Sequence, residues 1–171
     1  LWRINKWIFA TTLWESGSWK TTFVFHQCIK LSETHKVLFV SLEMNQQRII
    51  ELRARKMAWI SKVERDNKTM PQSKKELMEK YQKEIKENKN LAIVWINKSA
   101  DYVDVDLIIK TFHTKYSDYN YIVIDNLWFI KAEEAKKEKW FTSVYEEMNY
   151  VVRQFKNFCH NYWKTVNLLH H

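Results

Sequence analysis

The sequence predicts an α/β domain built on a mostly parallel, twisted sheet of about five strands, flanked by helices in three layers. Three observations predict it. Short β-type runs alternate with longer amphipathic stretches from one end of the chain to the other. The run "KVLFVSL" is apolar almost throughout, as a buried strand requires. The composition, 46% hydrophobic and 28% charged over 171 residues, suits one soluble domain with a substantial core.

The elements follow in order. "WIFATTL" (7–13) reads as a strand and "KTTFVFHQCIKLSE" (20–33) as the helix after it. "KVLFVSL" (36–42) is the second strand. "NQQRIIELRARKMAW" (45–59) carries Ile49, Ile50, Leu52, Met57 and Ala58 at helical spacing. The polar segment 61–90 holds the only proline, Pro71, and reads as a helical, Lys-rich insertion in one domain covering 1–171. Within it "SKKELMEKYQKEIKEN" (73–88) has Leu77, Tyr81 and Ile85 as its inner stripe, and its charges form a solvated face. "LAIVWI" (91–96), "YIVIDNL" (121–127) and "TVNLLHH" (165–171) are the remaining strands. "YVDVDLIIKTFHTKY" (102–116) and "FTSVYEEMNYVVRQFKNFCHNY" (141–162) are helices, the latter with Val144, Met148, Val151, Val152, Phe155 and Phe158 expected to face inward. "KAEEAKKEKW" (131–140) is a charged loop or frayed helix.

Several function classes are excluded or weakened. No run of about 18 apolar residues exists, so a membrane span is not expected. The N-terminus lacks a signal-peptide layout and begins without Met, so the chain reads as a fragment from a cytoplasmic protein. Cys28 and Cys159 are isolated, with neither metal-ligand spacing nor a disulfide framework, and read as small buried hydrophobes. The net charge of +8 permits an anionic partner without requiring one.

The stretch "LWESGSWKTTF" (13–23) resembles the phosphate-binding pattern G-x-x-x-x-G-K-[ST], with Trp14 and Trp19 in its two glycine positions. It joins a strand to a helix, as that loop must. Main-chain N–H groups of Trp14, Glu15, Ser16, Gly17, Ser18 and Trp19, with Lys20, Thr21 and Thr22 at the helix start, would cradle a triphosphate. Lys20 would reach the β- and γ-phosphates, and the Thr21 hydroxyl would ligate Mg²⁺. As written, the loop fails sterically, because a bulky residue at positive φ is an outlier and an indole at 19 fills the phosphate's space.

The chain has one glycine, Gly17, where average usage of about 7% gives roughly 12. It has nine tryptophans, several where a turn or helix cap is expected, among them Trp59 and Trp163. UGA is read as Trp in one variant genetic code and as Gly in another. A gene using UGA for glycine, translated with the other table, would yield this pattern, and the opening stretch would become "LGESGSGKTTF". The competing expectation is that the tryptophans are genuine, in a decayed or artificial chain.

"YIVIDNL" ends its apolar run in Asp125, which reads as a metal-positioning carboxylate once paired with the loop. "VLFVSLEM" puts Glu43 at another strand end, where a carboxylate can act as general base or simply open a helix.

The order of the loop, "SLEM", "VIDNL" and a strand ending in "LLHH" resembles the RecA-like ATPase core of the replicative hexameric helicases of the DnaB and Twinkle type. The resemblance covers most of the chain. It implies a RecA-like P-loop fold, ATP and Mg²⁺ as ligands, ATP hydrolysis coupled to movement on single-stranded DNA during replication, and a homo-oligomeric, hexameric ring. It implies Glu43 as the catalytic base, Lys20 and Thr21 on phosphate and metal, Asp125 on the metal and His170 as γ-phosphate sensor, with His171 beside it. By position it makes Lys131, Lys136, Lys137 and Lys139 candidate DNA contacts, against a plain solvated charge run. Arg48, Arg53 and Arg55 would decorate the helix after Glu43, at a subunit boundary. The family's arginine finger and second DNA-binding loop would lie beyond the chain's end. Alternatives are another RecA-like ATPase (plasmid-replication, recombination-mediator or KaiC-like), a nucleotide-binding-defective relic, or a small-molecule kinase.

Overall fold

The computed structural model describes residues 8–13, 20–61, 63–64, 69–96 and 102–170. The loop at 14–19 and His171 therefore lie outside the described residues.

Five strands form one parallel sheet: β1 (Phe9–Leu13), β2 (Val37–Ser41), β3 (Leu91–Trp95), β5 (Tyr121–Asp125) and β7 (Thr165–His170), in the order β1-β7-β5-β2-β3. Parallel neighbours need crossover connections, and here helices supply them. These helices are α1 (Lys20–Leu31), α2 (Gln46–Met57), α3 (Gln72–Glu87), α4 (Val105–Lys115) and α6 (Val144–Tyr162).

Strand side chains alternate between the two faces. Val37 and Phe39 of β2 join Val24, Phe25 and Cys28 of α1 and Ile49 and Ile50 of α2 on one face. Leu38 and Val40 join Ile108 and Phe112 of α4 and Val151, Phe155 and Phe158 of α6 on the other. Three layers result, as expected. Asn45 caps α2, its Oδ1 accepting from Arg48 N at 2.8 Å, and Ser143 caps α6, its Oγ accepting from Glu146 N at 3.2 Å. Each such cap stabilises its helix by ~1 kcal/mol. The insertion docks its helix α3 on α2, with Ile85 buried and Leu77 and Tyr81 half-buried.

Three local expectations are corrected, and a fourth is refined. Val103 and Asp104 form a short strand, β4, before α4; Asp104 then caps the helix, its Oδ1 accepting from Asp106 N at 2.9 Å. Strand β4 pairs with β6 (Ile130–Lys131), and the rest of the charged segment contains a single-turn helix, α5 (Glu133–Lys136). The strand expected over 121–127 stops at Asp125; Asn126 then caps a 3₁₀ turn over Leu127–Phe129. Val144, expected inside, is exposed as the first residue of α6, while Glu147, one turn on, and Tyr150, nearly two turns on, are buried.

Among the described residues, Trp59 and Trp163 are the two non-glycine residues with positive φ, at 54° and 55°. Each sits just past a helix end in the left-handed position that usually belongs to glycine. Beyond α2, Trp59 N donates to Lys56 O and Ile60 N to Arg55 O, the paired hydrogen bonds of a Schellman motif. Beyond α6, Lys164 N donates to Cys159 O at 3.1 Å, and Trp163 N to the same carbonyl. The five described tryptophans (59, 95, 128, 140 and 163) are all exposed, at 44–98% of full accessibility. None of them fills the core.

Candidate nucleotide site

Among the described residues, Lys20, Thr21, Glu43, Asp125 and His170 gather at the carboxyl ends of neighbouring strands, where open α/β sheets bind ligands. Register explains why. Ser41 of β2 pairs with Asp125 of β5, Asp125 pairs with Leu169 of β7, and His170 pairs with Leu13 of β1. Four strand ends thus align along one edge.

Asp125 lies at the centre, fully buried. The Thr21 hydroxyl donates to its Oδ2 at 2.5 Å, and Lys20 Nζ lies 3.8 Å from its Oδ1. Lys20 is itself 3% exposed, so both charges are desolvated and each neutralises the other. The first turn of α1 presents these two side chains because Lys20 and Thr21 are its first residues.

The donor set fits Mg²⁺. A hard cation takes oxygen ligands, and the Thr21 hydroxyl and Asp125 carboxylate are oxygen donors already in contact. Among the described residues no group of three or more His, Cys, Asp or Glu could cage a metal. Mg²⁺ does not need one, since it keeps waters and binds through one or two carboxylates plus substrate phosphates.

Glu43 lies two residues beyond β2 and is exposed at the same edge. The turn leading to it is held by Leu42 N donating to Asp125 O at 2.6 Å and Met44 N donating to Ser41 Oγ at 3.0 Å. His170 is half-buried at the end of β7. Its Nδ1 is buried without a hydrogen-bond partner among the described residues, and its ring lies 6.2 Å from that of Trp128. Thr22 lies on α1, half-buried.

The four lysines after Asp125 do not behave as a set. Lys136 bonds Glu133 at 2.7 Å and buried Glu147 at 3.1 Å; the hydrogen bond it donates to Glu133 raises its pKa, with Glu147 adding. Lys137 pairs with Glu134 at 2.7 Å, which raises its pKa too. Lys131 lies over the Trp128 ring and Lys139 over Tyr150. Glu147, unremarked in the sequence, accepts from Ala132 N at 2.9 Å and so ties the charged segment to α6. Of the arginines on α2, Arg48 pairs with Glu51 at 3.8 Å and Arg53 bonds His26 of α1. Burial, then the Arg53 charge, lowers the pKa of His26.

Sequence reasoning also missed Asn126. It is 1% exposed, its Oδ1 accepts from Trp128 N at 2.9 Å, and its Nδ2 points at Glu43 Oε2 from 3.5 Å. Its position immediately after the strand-ending aspartate was the available signal. Cys28 and Cys159 are buried and unpaired in disulfides, and burial pushes both thiols up, Cys159 to about 11. Among the described residues no helix is long and apolar enough to cross a membrane.

Comparison with known proteins shows the family and the fold. The family profile described as the DnaB-like helicase C terminal domain matches residues 15–168. The chain is similar to a DnaB-like replicative helicase whose structure was solved together with its interactions with primase. That likeness has a TM-score of 0.72 at 20% identity, covering 96% of this chain and 38% of that one. It is likewise similar to a second solved structure, the ATPase domain of another protein, with TM-score 0.72 and 21% identity over 94% of this chain and 56% of that one. At these identities the structural likenesses speak to fold, and the chain spans less than two thirds of either relative. No curated protein matches the chain in sequence.

Proposed function

Because the chain belongs to the DnaB-like helicase C-terminal domain family, we propose that it is the ATP-hydrolysing core of a replicative DNA helicase, acting with Mg²⁺ on single-stranded DNA. One observation carries this reading: Lys20 and Thr21, from the start of α1, converge on the buried Asp125 at the end of β5. Lys20 would turn from Asp125 to the β- and γ-phosphates. Thr21 and Asp125 would hold Mg²⁺, which supplies charge neutralisation on the phosphates. Glu43, exposed at the same edge, would take a proton from the attacking water. His170 would meet the γ-phosphate, in keeping with its Nδ1 having no hydrogen-bond partner among the described residues.

The reading needs bare main chain at positions 14 and 19. We propose glycine at both, and at the other tryptophan positions, in the working polypeptide. Trp59 and Trp163 support this: both occupy left-handed caps, where a Cβ costs free energy. Read codons and the mass of the native protein decide it: TGG codons or tryptophan masses at 14 and 19 would end the proposal and leave a nucleotide-binding-defective relic.

Assembly as a homo-oligomeric ring belongs to the proposal, since a lone core lacks an arginine supplied in trans to the γ-phosphate. So does the contact of Lys131, Lys137 and Lys139 with DNA phosphates, a salt-sensitive and sequence-independent term. A reducing cytoplasm fits two buried, separate thiols. The test is ATP hydrolysis by the full-length protein with glycine at 14 and 19, with and without single-stranded DNA, followed by unwinding of a forked duplex. Stimulated hydrolysis with unwinding is expected. Hydrolysis indifferent to DNA would redirect the reading to another RecA-like ATPase, and phosphate transfer to a small acceptor would make it a kinase.

A further inference from the structure

Resting on the assignment of Glu43 as the base, we propose that Asn126 is a positioning residue that orients the Glu43 carboxylate toward the attacking water. A buried amide must satisfy both its oxygen and its nitrogen. At Asn126 the oxygen is committed: Oδ1 accepts from Trp128 N at 2.9 Å and caps the 3₁₀ turn. That bond sets the polarity of the amide, so its N–H₂ faces the other way. There it meets Oε2 of Glu43 at 3.5 Å.

The two ends of this contact differ in freedom. Asn126 is 1% exposed and held between the end of β5 and the 3₁₀ turn. Glu43 is exposed on a long side chain, free to sample rotamers unless something holds it. Its backbone is placed by the pairing of Ser41 with Asp125, so the two side chains leave adjacent strand ends together. A donor amide can hold one carboxylate oxygen while the second stays available to a water. A carboxylate at 126 would repel Glu43, and an apolar residue would leave it unheld. The 3.5 Å separation is long for a hydrogen bond, and contacts of this kind tighten in the substrate complex. Asp125 and Asn126 thus divide two tasks at one strand end, the first on the metal side and the second on the base.

The test uses the full-length protein with glycine at 14 and 19. Asn126→Ser keeps an oxygen able to cap Trp128 N but cannot reach Glu43. Asn126→Asp keeps the cap and turns an oxygen toward Glu43. The expected result is a fall in kcat of about 10-fold for Asn126→Ser and about 100-fold for Asn126→Asp, with KM for ATP within about 2-fold of the parent. In a Glu43→Gln background, adding Asn126→Ser should change kcat less than about 2-fold, because the group it orients is gone. Unchanged kcat in folded Asn126→Ser, or an undiminished effect in the Glu43→Gln background, would overturn the proposal. If Glu43→Gln alone keeps the parental kcat, the base assignment fails instead and this proposal falls with it.

Discussion

The Thr21 hydroxyl donates to Oδ2 of Asp125 at 2.5 Å across 104 residues of sequence. The contact joins the start of α1 to the end of β5, and it exists because β5 lies in the interior of the sheet beside β7 and β2. Removing the carboxylate charge while keeping its shape isolates the metal-positioning role. Asp125→Asn should lower Mg²⁺-dependent ATP hydrolysis by at least about 100-fold while far-ultraviolet circular dichroism stays that of the parent. A variant with parental turnover would remove Asp125 from the site.

Glu43 should matter for turnover and not for binding. Glu43→Gln keeps size and hydrogen bonding but cannot accept a proton. A loss of about 10² to 10⁴ in kcat is expected, with nucleotide affinity by fluorescent-analogue titration essentially unchanged. Weakened affinity with normal turnover would place Glu43 at the helix start for structural reasons alone.

Trp59→Gly and Trp163→Gly should each stabilise the fold. A left-handed residue with a Cβ costs about 1–2 kcal/mol, and glycine does not bear it. For a chain of this size each substitution should raise Tm by roughly 2–8 °C in a calorimetric scan. Lower melting temperatures in both variants would show that the exposed indoles contribute contacts outweighing the backbone strain.

Burial raises the Cys159 thiol from 9.0 to about 11. The folded state holds this proton more tightly than the unfolded state, so the contribution to stability is full below pH 9.0. It declines as pH rises from 9.0 through about 11, where the unfolded chain has already released its proton. Urea unfolding across that window should show the parent losing more stability than Cys159→Ala. Parallel curves for the two proteins would contradict the burial effect.

The lysines of the charged segment should separate into two groups. Glu147→Ala removes the acceptor of the buried Ala132 N and a partner of Lys136, and should cost about 1–3 kcal/mol in denaturant unfolding. Alanine at Lys131, Lys137 and Lys139 together should leave the unfolding midpoint within experimental error. The same triple change should weaken single-stranded DNA binding and flatten its dependence on salt. An unaltered salt slope would return those lysines to an ordinary solvated face.

Much of the fold was legible without coordinates. Periodicity of two or 3.6 residues is a local property, so the five sheet strands and the helices at 20–33, 45–59 and 73–88 could be read from neighbouring residues alone. Val144 was misread because helical spacing names a face but not the point where the first turn emerges from the core. Residues 103–104 were misread because two residues carry no period, and only their partner strand at 130–131 makes them a strand. Asn126 and Glu147 escaped notice because a polar residue acquires its role from what lies across the fold, 83 residues away for one and 15 for the other.

By itself the sequence determined the five strands of the sheet and most of the helices, and it put Asp125 and His170 at strand ends, Glu43 just past one, and Lys20 and Thr21 at the opening of a helix. It also carried the anomaly of one glycine beside nine tryptophans. Only the tertiary structure decided that β7 and β5 lie between β1 and β2, because strand order follows from how crossover helices bury their apolar faces, an energy summed over the whole core. That order brings five scattered polar residues to one edge of the sheet, and it places an amide from Asn126 beside Glu43.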